Sequence, residues 1–496
     1  MQNLYVNNTK ITNPNFRGFN FVHQLFYNMP DKLGRVYTED MIEQDYDALK
    51  KMRVKIIRSF YGGSLCWDKE KNTWDFENEH MQAFYKNCKD MEKLGIDIGI
   101  TPQWHFGGFL RGLVTEDFEN TVSLGVSGFT VENDIEATAK NFEKFIELSV
   151  KAFEDHDVNN IKYLFAFTEC NNTFNGGKDK KIPSIERREY DRLCPIFDRF
   201  ITALDRGLKN AGKRDQYKIV APCDNWRADD GSEPYSILVK YCLEHLADKV
   251  DIIGSHNGYD RHSNYTDDRF YHWPFIKVPE PMERSKDHGK EFWIDEYNPA
   301  LHGNYTSAAK RTTNADPYKG LAYGAMVNSI MNLEDVSNVM IWAFADQQWP
   351  DHTCNGGFDN GVLVCGYFRN LLEDRSPQPA WYATALVSRY VGAGKLYKCR
   401  IADKIYVSAI EREDGEITVV VTNYSEKDQE VRVNFEKSLE GRTFYRYVYN
   451  PETIVSTPEC KLPDSDETIP NVGIDFVSTM PKMSMAVFTT EAPGRE

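Results

Sequence analysis

Phe292-Trp293-Ile294-Asp295-Glu296-Tyr297-Asn298 sets an apolar run directly against two carboxylates. A run this short and this apolar reads as a strand buried on both faces, as in a parallel sheet covered by helices. Tyr163-Leu164-Phe165-Ala166-Phe167-Thr168-Glu169-Cys170-Asn171 has the same build. In both, a glutamate emerges where the apolar run stops. Alternate side chains of a strand face opposite ways, so Asp295 is expected to point away from Glu296 and to serve structure alone.

Outward from these two runs, short β-branched or aromatic segments alternate with amphipathic stretches from residue 16 to about residue 392, the pattern of βα units. Strands are predicted at Phe16 to Phe21, Val54 to Ser59, Ile96 to Thr101, Tyr163 to Thr168, Lys218 to Ala221, Asp251 to Ser255, Phe292 to Glu296 and Val339 to Phe344. Eight parallel strands can close into a barrel without a free edge. Between them, Ile42, Tyr46, Leu49 and Met52 share a helical face behind Glu39 and Asp40. Met81, Phe84, Cys88, Met91 and Leu94 recur at helical spacing before Gly95, a natural stop. Leu193, Phe197, Phe200, Leu204 and Leu208 form a third stripe, and all three stripes read as core.

After Gly394 the period changes to two: Ile405, Val407 and Ala409, then Ile417 and Val419 beyond an Asp414-Gly415 turn, then Val431, Val433 and Phe435. Further strands are predicted at Thr443 to Tyr449 and Met485 to Thr489. The expected fold is of the α/β class: a (β/α)8 TIM barrel over residues 14–392 and a C-terminal all-β, antiparallel sandwich over 393–496, with residues 1–13 a candidate strand of the second domain. A length of 496 residues exceeds what one hydrophobic core usually organises, which agrees with two domains.

Composition narrows the partners. The net charge of −16 repels phosphate backbones and anionic lipid surfaces, which argues against nucleic acid and membrane. No apolar run reaches the roughly 18 residues of a spanning helix, and the start carries no signal-peptide pattern, so a cytoplasmic location is expected. The ten cysteines are scattered, without a C-x-x-C pair or zinc-type His spacing, and read as free thiols of a reducing compartment. Aromatics at 13% suit sugar binding, because a pyranose packs its apolar face on a ring while its hydroxyls seek polar edges.

In a barrel of this kind chemistry collects at the carboxyl ends of the strands. There the sequence places Arg58 on strand two, Trp104 and His105 after strand three, and Thr168, Glu169 and Asn171 at the end of strand four. Asn225 follows strand five, His256 and Tyr259 follow strand six, Glu296 ends strand seven and Trp342 lies on strand eight. Two carboxyl groups leaving apolar strands toward one mouth suit cleavage of a glycosidic bond. One stays protonated to serve the leaving oxygen; the other, ionised, attacks the anomeric carbon. Arg58 is placed to hold Glu296 ionised, Tyr259 to donate to the same carboxylate, and Trp104 and Trp342 to floor a sugar subsite. Each residue has a plainer reading. A strand-end Glu is often a solvated loop residue or an ion-pair partner, Arg58 a neutraliser of a buried acid, His256 a satisfied barrel-mouth histidine, and the two Trp core. The joint placement of glutamates on strands four and seven outweighs these.

Together, Glu169, Glu296, Arg58, His256, Tyr259 and Trp342 on those strands resemble the clan A retaining glycoside hydrolases. The resemblance runs from about residue 14 to the C-terminus, since β-xylosidase and α-L-arabinofuranosidase families of that clan also carry a β-sandwich after the barrel. It implies that Glu169 is the acid/base, Glu296 the nucleophile and Tyr259 the tyrosine orienting it. The chain departs from the clan where the acid/base is usually preceded by Asn and often followed by Pro: here the neighbours are Thr168 and Cys170. The contact to the sugar 2-hydroxyl then falls to Thr168, Asn171 or Asn225.

The expected reaction is double displacement on an oligosaccharide or glycoside, with no metal or organic cofactor; an oligomer is compatible with the sequence. The alternative is a barrel that binds carbohydrate without turning it over, motivated by Thr168 in place of Asn. A metal-dependent lyase or Schiff-base aldolase finds no Lys and no tight His/Asp/Glu cluster at the strand ends. Tyr259, Tyr265, Tyr271 and Trp273 after strand six, and Asp346, Gln347, Gln348, Trp349, Asp351 and His352 after strand eight, suit an oligosaccharide or pack on one another as a lid.

Overall fold

The computed structural model describes residues 1–11, 15–22, 25, 38–68, 70–71, 73–103, 123–124, 129–130, 135–166, 187–225, 237–256, 258–262, 264–301, 315–344, 347–348, 358–359, 362–363, 368, 376–457 and 459–495. Eight strands form a closed parallel ring: β1 (Asn15–Val22), β2 (Ile56–Gly62), β3 (Asp97–Gln103), β4 (Ile161–Phe165), β5 (Lys218–Asn225), β6 (Ile252–His256), β7 (Glu291–Leu301) and β8 (Val336–Ile341). Each pairs in parallel with the next, and β8 returns to β1. All eight are the strands expected from sequence. A short strand, Gly258–His262, pairs with the far end of β7.

The ring closes around strands that are, for the most part, apolar on two faces. Ile56, Phe165, Val220, Ile252, Trp293 and Met340 fill its interior. Their neighbours Ile57, Ile98, Leu164, Ile219, Ile253, Ile294 and Ile341 turn outward and join the helices in the main core. Those helices are α1 (Glu39–Met52), α2 (Glu79–Lys93), α3 (Ile135–Asp155), α4 (Arg187–Asn210), α5 (Ile237–His245), α6 (Arg269–Lys277), α7 (Pro279–Asp287), α8 (Tyr318–Ile330) and α9 (Pro379–Tyr390). Thr38 caps α1 by accepting from the Met41 amide, with Glu39 and Asp40 in the electropositive first turn. Asn78 caps α2 by accepting from the His80 and Met81 amides, and Gly95 leaves that helix at φ 70°. Among the described residues no helix is long and apolar enough to cross a membrane.

The β domain is a nine-stranded sheet, ordered Glu467–Val472, Arg442–Tyr449, Ser484–Thr489, Ile417–Asn423, Ile405–Arg412, Gly394–Arg400, Gln2–Ile11, Gln429–Phe435 and Asp475–Met480. The period-two residues Ile405, Val407, Ala409, Ile417, Val419, Val431 and Val433 do line one core. One pairing departs from the antiparallel expectation. Gln2–Ile11 runs antiparallel to Gly394–Arg400 but parallel to Gln429–Phe435. It arrives from the other end of the chain, so no hairpin dictates its direction.

The β domain grips the barrel through α8, which links β7 to β8 and is buried from Lys319 to Ile330. A helix enclosed on all sides needs its polar groups matched. Asn328 Nδ2 donates to Ser408 Oγ and to the Val420 carbonyl, at 2.8 and 2.9 Å, while its Oδ1 accepts from Thr422 Oγ1 at 2.6 Å. At Gly320 a methyl group would stand 2.5 Å from the Tyr449 ring, so the approach of helix to sheet requires glycine there.

Candidate active site

The barrel's first three strands deliver one polar residue each to a single buried point. Asn20 on β1 and Arg58 on β2 are partners in register, and Thr101 lies on β3. All three are buried. Arg58 Nε donates to Thr101 Oγ1 at 2.8 Å and Nη1 to Asn20 Oδ1 at 3.3 Å. Asn20 Nδ2 donates onward to the backbone carbonyls of Asp295 and Ile341, at 3.0 and 3.3 Å, tying β1 to β7 and β8. The guanidinium also lies 4.8 Å from the Phe165 ring centroid.

Arg58 is aimed at Glu296: Nη1 donates to Glu296 Oε1 at 2.7 Å, and the two side chains are 1% and 2% exposed. Burial works against the charge on Arg58, but Glu296 and then Asp295 outweigh it, and the guanidinium is held above its ordinary pKa. A charge-assisted bond of this kind orients a carboxylate and favours its ionised form.

Strict alternation would send Asp295 and Glu296 to opposite faces, and the structure corrects the expectation that Asp295 points away. The ladder between β7 and β8 shifts register between Ile294 and Tyr297, so that three residues of β7 advance against two of β8. Trp293 already faces the interior, and with the irregularity both carboxylates reach the same side. His256, at the end of β6, meets both: its Nε2 lies 3.4 Å from Glu296 Oε1 and 3.7 Å from Asp295 Oδ2, within ion-pairing range of each when the ring is protonated.

Of the other residues singled out in the sequence, Trp342 stands at the end of β8, partly exposed. Its ring lies 6.0 Å from that of Phe60, and its amide donates to the Tyr297 carbonyl at 2.9 Å. The backbones of Asn225 and Tyr259 pair with His256 and Asn298, which puts both at the same end of the barrel; their side chains lie outside the described residues. Trp104, His105, Thr168, Glu169 and Asn171 lie outside them altogether, as do Asp346, Trp349, Asp351 and His352. Strand β4 still carries the chain toward this end, with the Ala166 amide bonded to the Val220 carbonyl.

The aromatic run after β6 divides. Tyr265 and Tyr271 are 2% and 5% exposed. Tyr271 stacks on Tyr406 of the β domain at 3.8 Å, and the Tyr424 hydroxyl donates to the Tyr265 carbonyl at 3.2 Å, so this pair packs between domains. Asn20 and Thr101 are the site residues that sequence reading missed. The available signal was a lone polar residue within Phe19-Asn20-Phe21, an otherwise apolar strand. Among the described residues no three His, Cys, Asp or Glu side chains group to hold a metal.

Comparison with models of known protein families finds no match, and no curated protein sequence matches either. Solved structures do. The catalytic domain of a glycoside hydrolase family 30 xylanase from Talaromyces cellulolyticus is similar at TM-score 0.63 and 14% identity, over 98% of this chain and 99% of that one. The family 30 subfamily 8 xylanase from Clostridium acetobutylicum gives 0.61 and 14%, over 98% and 99%. A thermostable family 51 α-L-arabinofuranosidase from Thermotoga petrophila gives 0.61 and 14%, over 99% and 100%. The likeness spans whole chains, so this protein shares with these hydrolases one fold, a closed eight-stranded barrel with an appended β domain.

Proposed function

We propose that the protein is a retaining glycoside hydrolase acting on an oligosaccharide or glycoside, with Glu296 as nucleophile and Glu169 as general acid/base. The observation that carries this reading is the buried Arg58 to Glu296 bond at the carboxyl end of β7. A carboxylate held ionised and oriented by a guanidinium, where barrel enzymes do their chemistry, is fitted to attack an electrophilic anomeric carbon. The whole-chain likeness to xylanases and an arabinofuranosidase supports the same reading. Glu169, which follows the apolar run of β4 in sequence, is assigned the proton transfers, and the partly exposed Trp342 a wall of the sugar subsite. Among the described residues Cys66, Cys88 and Cys399 are free thiols, which suits a reducing, cytoplasmic compartment.

Glu296→Ala with azide tests the assignment. The variant is expected to lose hydrolysis of aryl glycosides and, with azide supplied, to release a glycosyl azide of inverted configuration. Hydrolysis at the unaltered rate removes Glu296 from the role. A panel of nitrophenyl pentosides and hexosides in both anomers identifies the sugar.

A further inference from the structure

β7 brings two carboxylates into the barrel, and the reaction above employs one. Asp295 is fully buried, and neither of its oxygens has a hydrogen-bond partner among the described residues. A buried, ionisable group left unbonded is costly, so its position calls for an electrostatic reason. The barrel makes room for it. A methyl group at Gly254, on β6, would stand 2.8 Å from Asp295 Oδ2. The His256 ring reaches Asp295 and Glu296 from one nitrogen, and Arg58, bonded to Glu296, feels the field of both carboxylates.

The chemistry supplies the reason. In the first step a Glu296 oxygen bonds to the anomeric carbon, and the glycosidic C–O bond breaks with its electron pair going to the leaving oxygen. That oxygen takes the proton of the general acid. Glu296 is then a neutral ester, while Arg58 cannot release its proton. A buried guanidinium facing a single carboxylate would be stranded at that moment. We propose that Asp295 is the reserve counter-ion of Arg58, holding the site's charge balance while Glu296 is esterified; the catalytic half of this statement rests on the glycosidase reading. Water, deprotonated by the same general base, then attacks the anomeric carbon. The ester bond breaks, and Glu296 returns as the carboxylate that Arg58 grips. Asp295 touches no substrate and acts through Arg58.

Two measurements on the full chain test this separately. The first is a thermal-melting cycle of Asp295→Asn, Glu296→Gln and the double variant. Each single change leaves one of the two anions whose field Arg58 feels and the double change leaves neither, so the double variant is expected to melt well below the sum of the single shifts. Failure of the double variant alone to fold is the extreme of that result, and additive shifts overturn the counter-ion role. The second is rapid-mixing kinetics on the best aryl glycoside. Asp295→Asn is expected to slow formation of the glycosyl-enzyme, read as kcat/KM, by about tenfold or more. Its breakdown, which restores an anion, should slow less. Equal slowing of both steps, or none, overturns the catalytic half. If the unaltered protein neither turns over glycosides nor forms an ester, the glycosidase reading falls with that half, and the melting cycle still decides whether Asp295 balances Arg58.

Discussion

Arg58 and Glu296 meet at 2.7 Å across the barrel, from β2 and β7, with almost no water contact on either side. Removing Arg58 leaves the carboxylates of Glu296 and Asp295 buried together without their shared cation. Arg58→Met is therefore expected to destabilise the fold by roughly 3–5 kcal/mol and to abolish turnover. Arg58→Lys keeps a charge but lacks the planar fork that also engages Thr101 and Asn20, so it should fold better than Arg58→Met yet stay poorly active. Denaturant unfolding beside aryl glycoside kinetics reads both effects.

Under the proposed function Asn20 is assigned a positioning role on the same axis. It accepts from Arg58 and donates to the carbonyls of Asp295 and Ile341. Asn20→Ala orphans those groups and is expected to cost about 1–3 kcal/mol of stability. Its catalytic signature is a fall in kcat with little change in KM, since no substrate contact is assigned to it. A change in KM alone would contradict the positioning role.

The barrel and β domain are also joined by charge. Glu491 accepts from Arg53, which follows α1, at 2.7 and 2.9 Å, and pairs with Arg412 of the β domain at 2.6 Å. Burial pushes the Glu491 carboxyl up, but the bonds from Arg53 and Arg412 outweigh this and hold it below its ordinary 4.5. A carboxyl depressed in the folded state adds stability that is complete above the unfolded pKa and lost as pH falls through the folded one. Glu491→Gln should thus melt lower than the unaltered protein near neutrality, and the difference should shrink in strong acid. A difference that grows on acidification would reverse the sign.

The β domain also meets the barrel through Tyr406. Its ring stacks on Tyr271 of α6 and its hydroxyl donates to Asp268, just ahead of that helix, at 3.0 Å. Tyr406→Ala is expected to cost roughly 3–5 kcal/mol as a large buried aromatic is lost. Tyr406→Phe should cost about 1.5–3 kcal/mol through one bond to a charged group. Because α6 follows the strand that carries Tyr259, activity should fall further in Tyr406→Ala than in Tyr406→Phe; equal activity in both would detach the β domain from the site.

Glu169 is tested by leaving groups. Glu169→Ala should retain cleavage of glycosides whose leaving group needs no proton, such as dinitrophenolate, and lose cleavage of alkyl glycosides by about a hundredfold or more. A uniform loss across leaving groups would exclude the acid role.

How far the sequence foretold this depends on the kind of signal. The eight strands were legible because each is a short apolar run bounded by breakers, and the carboxyl ends of those runs carry Arg58, His256, Glu296 and Trp342 in plain view. Asp295 was misread because strict alternation ignores a register shift, which depends on how β7 meets β8. Tyr265 and Tyr271 read in sequence as a sugar-binding loop or a lid because their cover, Tyr406 and Tyr424, is supplied by a distant stretch of chain. The parallel pairing of Gln2–Ile11 with Gln429–Phe435 has no local signature either, since register between remote strands is set by packing.

The assignment of Glu296 as nucleophile is tested most directly by peptide mapping after reaction with a 2-deoxy-2-fluoro glycoside of whichever sugar the aryl glycoside panel identifies. Slowed breakdown lets the covalent species accumulate, and a glycosyl ester is expected on Glu296 in the Phe292 to Asn298 peptide. An ester on any other residue, or rapid turnover of natural substrate with inverted product and no adduct, would contradict it.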